Sequence, residues 1–123
     1  MQEIDKLTDK IIGAAIEVHR HLGPGLLENV YEEALCHEFS LQNIQFQRQI
    51  PIAAIYKGKE IGEYRLDLLI ENTIIVEIKS VERFDSVFEA QVLTYLRISG
   101  KKVGLLLNFN SRLSKDGIKR FVL

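Results

Sequence analysis

The sequence predicts an α/β fold in the order α-α-β-β-β-α-β, a mixed central sheet flanked by helices. Three observations predict it. Apolar residues recur at helical spacing over residues 5–21 and 26–41. Branched, apolar runs separated by short polar turns then follow as an antiparallel meander. Last, a helical pattern at 84–99 precedes a continuous apolar run, and a strand that returns to its sheet through a helix lies parallel to its neighbour.

Taken in order, the first helix carries Leu7, Ile11, Ile12, Ala15, Ile16 and Val18 as its apolar stripe. Gly23-Pro24-Gly25 ends it, because proline cannot continue the hydrogen-bond ladder and glycine accepts the turn. The second helix, from about Leu26 to Leu41, turns Val30, Tyr31, Ala34, Leu35 and Phe39 inward. Strands are predicted at 46–56, 60–70 and 73–80, joined by the tip Lys57-Gly58-Lys59 and the loop Glu71-Asn72-Thr73. The crossover helix places Phe88, Val92, Tyr95 and Leu96 at helical spacing and stops at Gly100. Residues 102–109 read as a buried strand, and the tail from Ser111 as a short helix with a last edge strand at 121–123.

A length of 123 residues suits a single domain over residues 1–123, and 46% hydrophobic with 27% charged residues is the composition of an ordinary globular protein. The start MQEIDKLTDK has no apolar stretch following a basic patch, so a leader is not expected, and no run approaches the roughly 20 apolar residues that span a bilayer. A cytoplasmic protein with no membrane partner is expected. The single cysteine, Cys36, lies in a helical pattern among apolar residues and is expected to be a buried, inert thiol. Net charge of -1 offers no overall basic footprint for nucleic acid. Local basic groups, Arg112, Lys115, Lys119 and Arg120 near the C-terminus and Lys57 and Lys59 on a hairpin tip, read first as solvated surface. His19 and His21 alternate on a helix and point apart, so these two and His37 make no zinc site. No G-x-x-x-x-G-K loop is present, so ATP-driven chemistry is not indicated. A two-carboxylate glycosidase is disfavoured by the short chain and the absence of tryptophan.

Chemistry concentrates in residues 64–80. If the hairpin loop is centred on Asn72, residues whose numbers sum to 144 lie opposite each other and Asp67 faces Glu77; a loop centred between Asn72 and Thr73 would break that match, since a one-residue slip turns every side chain over. Directly opposed residues have Cβ atoms roughly 5 Å apart, a separation at which two carboxylates can share a divalent cation. Lys79 follows Glu77 by two residues and points to the same face by strand periodicity. A salt-bridged, exposed sheet face is the ordinary explanation of such a trio. Its neighbours argue otherwise, since Leu66, Leu68, Leu69 and Ile70 and then Ile74, Ile75, Val76 and Ile78 are apolar on both faces, as in a strand covered on both sides. Charges there are paired, metal-bound or functional.

Asp67, nine intervening residues and then Glu77-Ile78-Lys79 resemble the PD-(D/E)XK nuclease-like motif, whose core is restriction-endonuclease-like. Gly25-Leu26-Leu27-Glu28-Asn29-Val30-Tyr31 resembles the signature of the small prokaryotic GxxExxY proteins, and the likeness spans nearly the whole chain. One departure is Leu66 where the superfamily's nickname has proline. The resemblance implies a metal-dependent nuclease in which Asp67, Glu77, the carbonyl of Ile78 and Glu28 hold Mg²⁺ or Mn²⁺ and Lys79 assists the attack. Glu28 on its residues alone reads as a helix-capping carboxylate three positions after Gly25. Gln91 and Tyr95, at i and i+4 on the crossover helix, look like the Q-x-x-x-Y element of the exonuclease-type branch and would border the substrate. The implied partner is nucleic acid, DNA ahead of RNA. The rival reading is a catalytically inactive nuclease-like scaffold that binds nucleic acid or protein. A homodimer is expected from small size and an exposed final strand.

Overall fold

The computed structural model describes residues 2–113 and 117–123. Two helices, α1 (Gln2–Leu22) and α2 (Glu28–Leu41), precede β1 (Phe46–Tyr56), β2 (Lys59–Ile70) and β3 (Ile74–Lys79); α3 (Ser86–Ser99) then crosses to β4 (Val103–Asn108) and β5 (Ile118–Val122). The sheet runs β1-β2-β3-β4-β5. Only β3 and β4 are parallel; the other neighbours are antiparallel.

Both faces of the central strands are covered, as their continuous apolar runs require. Ile11, Ala14, Ala15 and Val18 of α1 and Tyr31, Leu35 and Phe39 of α2 pack on Leu68, Ile70, Ile74, Val76 and Ile78. On the opposite face, Val92, Tyr95 and Leu96 of α3 pack on Leu66, Leu69, Ile75 and Leu106. Gly104 is where α3 comes closest to β4: a Cβ there would lie 2.8 Å from Val92 Cγ1 and 3.6 Å from Leu96 Cδ1. Valine is branched at Cβ and cannot swing away without leaving its rotamer. Gly104→Ala is therefore expected to destabilise the protein by about 1–3 kcal/mol, the usual range for overpacking, measured as a lower urea midpoint.

Two hairpins set the register. Glu71 and Asn72 both have positive φ, 51° and 53°, and Thr73 N–H donates to the Ile70 carbonyl at 2.9 Å, closing a tight turn whose twist suits the strands. At the other tip Lys57 and Gly58 also have positive φ, 48° and 84°. Because β3 has only six residues, the outer parts of β1 and β2 continue past it as a two-stranded ribbon.

Two expectations need correction. The tail forms a full strand, Ile118–Val122, antiparallel to β4, rather than an edge fragment at 121–123. Ser111 to Leu113 form a bend and turn, and the remainder of the expected short helix lies outside the described residues. Helix α2 begins at Glu28 with Leu27 at its N-cap and no side-chain cap bond, so Glu28 is the first helical residue rather than the third after a Gly25 cap. Among the described residues, no helix is long and apolar enough to cross a membrane.

Candidate active site

The β2–β3 ladder follows the expected register, Ile70↔Ile74, Leu69↔Ile75 and Leu68↔Val76, and then stops. One step further, side chains replace backbone pairing. Asp67 N–H donates to Glu77 Oε2 at 2.8 Å, and Ile78 N–H donates to Asp67 Oδ2 at 2.9 Å. Each carboxylate thus occupies the gap between strands and satisfies the amide on the partner strand. A strand residue's N–H and C=O point the same way, so Ile78 turns its carbonyl toward the opened gap as well.

A local rotation accompanies the opening. Leu66 and Leu69 share the α3 face while Leu68 lies on the other, so strict alternation fails at Asp67. Strand β1 turns over at the same level: Phe46 packs on the α1/α2 side, Ile50 and Ile52 on the α3 side, and Gln49 between them has φ 51° and no partner in the ladder. Paired irregularities of this kind re-aim side chains at the rim of a sheet. Asp67 consequently lines a cleft of about 350 Å³ under α2, with Glu28, Asn29, Glu32, Gln49 and Ile78.

Glu28 is held at this cleft by its own loop. Tyr31, one turn along α2, stacks on Phe109 at 4.5 Å, donates to the Gly23 carbonyl and accepts from Leu26 N–H at 3.1 Å. Ser80, just after β3, donates through Oγ to the Leu26 carbonyl at 2.6 Å and through its N–H to Glu28 Oε2 at 3.4 Å. The turn before α2 is thereby fastened to the end of β3. Sequence reading missed Glu32, which is buried and accepts from Arg48 Nη2 at 2.8 Å and from Gln49 Nε2 at 2.8 Å. Its spacing of four from Glu28 was the available signal. Asn108 was also missed: buried at the end of β4, it exchanges hydrogen bonds with the Val81 backbone at 3.1 and 2.9 Å and shapes the chain beyond Lys79.

Lys79 and Gln91 do not share the cleft with Asp67 and Glu28. They line a groove of about 490 Å³ on the α3 side, with Tyr64, Val87, Phe88, Ala90 and Thr94. Lys79 Nζ sits 4.6 Å from the centre of the Phe88 ring, a cation–π contact that fixes the ammonium. Tyr95 is buried and meets Tyr64 edge-on at 5.7 Å. The site is therefore a notch in the sheet, with Asp67 open to one side, Lys79 to the other, and Glu77, 3% exposed, in the sheet beside them.

Residues 5–121 match a family model described as the PD-(D/E)XK nuclease superfamily. The chain belongs to the PD-(D/E)XK nuclease superfamily. No curated protein and no solved structure is matched. In this PD-(D/E)XK chain Asp67 and Glu77 lie at the broken edge of the β2–β3 ladder.

Their electrostatics are strained. Burial, and then the neighbouring Asp67 charge, push Glu77 up to about 8, against smaller opposing effects of the Asp67 amide and Lys79. Burial raises Asp67 as well, with Glu32 and Glu28 adding to it and the Ile78 amide and Lys79 opposing. Tyr95 is raised to about 12 by burial and then by Glu77 and Asp67. Arg48 is engaged by Glu32 and Glu33 at 2.8 and 2.7 Å, and Arg65 donates to the Gln49 carbonyl at 3.2 Å. Among the described residues no three carboxylate, imidazole or thiol side chains are gathered into a ready metal-ligand set. Elsewhere, burial pushes the Cys36 thiol up to about 11, which leaves it unreactive. Of the C-terminal basic residues, Lys119 pairs with Glu89 at 3.2 Å and Arg120 with Asp5 at 2.7 Å; Lys115 lies outside the described residues.

Proposed function

We infer that this protein is a metal-dependent nuclease that hydrolyses phosphodiesters of nucleic acid, DNA ahead of RNA, at the notch between β2 and β3. The observation that carries the reading is the crossed pair of buried carboxylates, Asp67 and Glu77, joined through each other's backbone amides with Lys79 two residues on. Burial opposes the ionisation of both acids, and the Asp67 charge further opposes that of Glu77, so the pair forms a site that a divalent cation would relieve. Oxygen donors suit Mg²⁺ or Mn²⁺.

Asp67, Glu77 and the Ile78 carbonyl would hold the ion, with Glu28 reaching from across the cleft that it shares with Asp67. A bound cation of this kind supplies Lewis-acid polarisation of a phosphate and acidification of a water. Lys79, steadied on Phe88, presents a fixed positive charge toward negative charge that grows on the phosphate oxygens. Gln91 offers an amide beside Lys79 to orient the substrate, and Tyr95 packs behind Tyr64 at the groove wall. Glu32, bonded to Arg48 and Gln49, holds the wall of the cleft rather than offering a free oxygen.

The rival reading, a non-catalytic nuclease-like module, draws on the lack of a gathered ligand set among the described residues. Calorimetric titration with Mn²⁺ separates the two. The nuclease reading expects one saturable site in the wild type and its loss in Glu77→Ala; identical heats in both proteins reject it.

A further inference from the structure

The groove that holds Lys79 continues onto one face of the β1–β2 ribbon. Tyr64, 40% exposed, stands at its lip. Opposite Tyr64 is Ile52, whose side chain packs on the α3 side, and alternation along β1 carries that face through Ala54 to Tyr56; the register shifts after Ala54, with Ile61 the extra residue on β2, so that Tyr56 is paired with Lys59. Tyr56 is 59% exposed and the Lys57 ammonium lies 5.4 Å from its ring centre. The acids of the ribbon take the other face, because Glu60 pairs with Ile55 and Glu63 with Ala53. One face thus carries two exposed tyrosines and the lysines of the tip, and it leads directly to Lys79.

Resting on the nuclease reading, we propose that this face is a track for a single strand of nucleic acid, with Tyr64 and Tyr56 as stacking platforms, Lys57 and Lys59 on backbone phosphates, and a base seated in the groove beside Lys79. The four-residue step from Ile52 to Tyr56 covers about 13 Å at 3.3 Å per residue, room for about four bases stacked at 3.4 Å. A groove of about 490 Å³ is of the size that takes a small organic ligand such as a nucleoside. A duplex fits the same surface poorly. Its affinity comes from many phosphates on a broad basic face, whereas this chain has net charge -1 and Lys119, over Phe84 on the α3 side, is already paired with Glu89 at 3.2 Å. Exposed aromatic rings bordered by lysines are the features that unstacked bases use.

The test is fluorescence anisotropy on the full chain in EDTA, which separates binding from cleavage. The probes are a labelled single strand of about 12 nucleotides, within the site sizes of known single-strand binders, and a duplex of the same length. The single strand is expected to bind at least about tenfold more tightly than the duplex, and Tyr56→Ala and Tyr64→Ala each to weaken it about fivefold or more, the effect of losing one stacked base. Tyr64→Phe, which keeps the ring, should bind as the wild type does. Tyr56 is exposed, so its replacement reports on binding even if Tyr64→Ala disturbs the fold. Equal or tighter duplex binding, undiminished binding by Tyr56→Ala, or a ribbon occluded by self-association in light scattering would each overturn the proposal. In a parallel assay with Mn²⁺ in place of EDTA, cleavage that persists alongside any of these leaves the nuclease reading standing; single-strand binding in EDTA with no cleavage in Mn²⁺ removes that reading and keeps the track.

Discussion

Asp67→Asn and Lys79→Ala each lower metal-dependent cleavage of a labelled oligonucleotide by about 10²-fold or more, the scale on which one preorganised electrostatic group acts. Asparagine is the more informative change at residue 67. Its carbonyl oxygen still accepts the Ile78 N–H bond, seen at 2.9 Å for Asp67 Oδ2, so the sheet edge is retained while the charge is lost. Alanine would leave that amide unpaired in a half-buried setting and confuse a folding defect with a chemical one. Lys79 is partly buried against Phe88 but its loss leaves no strand bond broken, so the Ala variant should keep the circular dichroism of the parent. Full cleavage by both variants, with fold intact, would remove the proposed roles of these residues.

Stability should fall as pH rises, and Glu77 is the reason. Its carboxyl titrates near 4.5 in the unfolded chain and at about 8 in the folded protein. Below about pH 4.5 both states hold the proton, and the full stability is present. Between the two values the unfolded chain has released the proton and the folded protein retains it, so the folded state binds more protons and stability declines with pH; above about 8 the decline ends. Asp67, also raised, acts in the same direction. The loss across this window is on the order of a few kcal/mol. Glu77→Gln keeps an oxygen for the Asp67 amide and carries no charge, so it should be the more stable protein at about pH 8.5 and match the wild type near pH 5. Urea midpoints in EDTA across that range measure this directly. Added Mn²⁺ is expected to raise the wild-type midpoint at the alkaline end by mass action and to leave the Gln variant unmoved. A flat pH profile for the wild type would show that burial does not oppose this charge.

Much of the notch was legible because its neighbours are so apolar. A strand greasy on both faces leaves few explanations for an acid, and of the two loop centres the sequence allows, the structure has the one on Asn72, with Ile70 opposite Ile74. The choice matters, because one slip would turn every side chain to the wrong layer. Glu32 was not legible in the same way. Its importance arises from Arg48 and Gln49, sixteen and seventeen residues away, and within α2 the only hint is its spacing of four from Glu28. Strand β5 escaped for another reason: its five residues are half-exposed, with no alternation strong enough to read, and its pairing with β4 makes it a strand. The start of α2 shifted because Tyr31 and Ser80, through contacts outside the helix, hold Gly23 to Leu27 as an extended turn.

What the amino-acid order determined alone is the succession of elements from α1 to β4, the parallel return of β4 and the pairing of β2 with β3, since these depend on periodicity, turn residues and the short range over which a hairpin closes. What the tertiary structure decided is where the charges go. The joint rotation of β1 at Gln49 and β2 at Asp67 sends Asp67 toward α2 while Lys79 faces α3, although strand alternation by itself puts them on one face. Such a rotation reflects a balance among helices packed on two sides of a sheet, and interactions between residues far apart in the chain have no signature in the local pattern of any one strand.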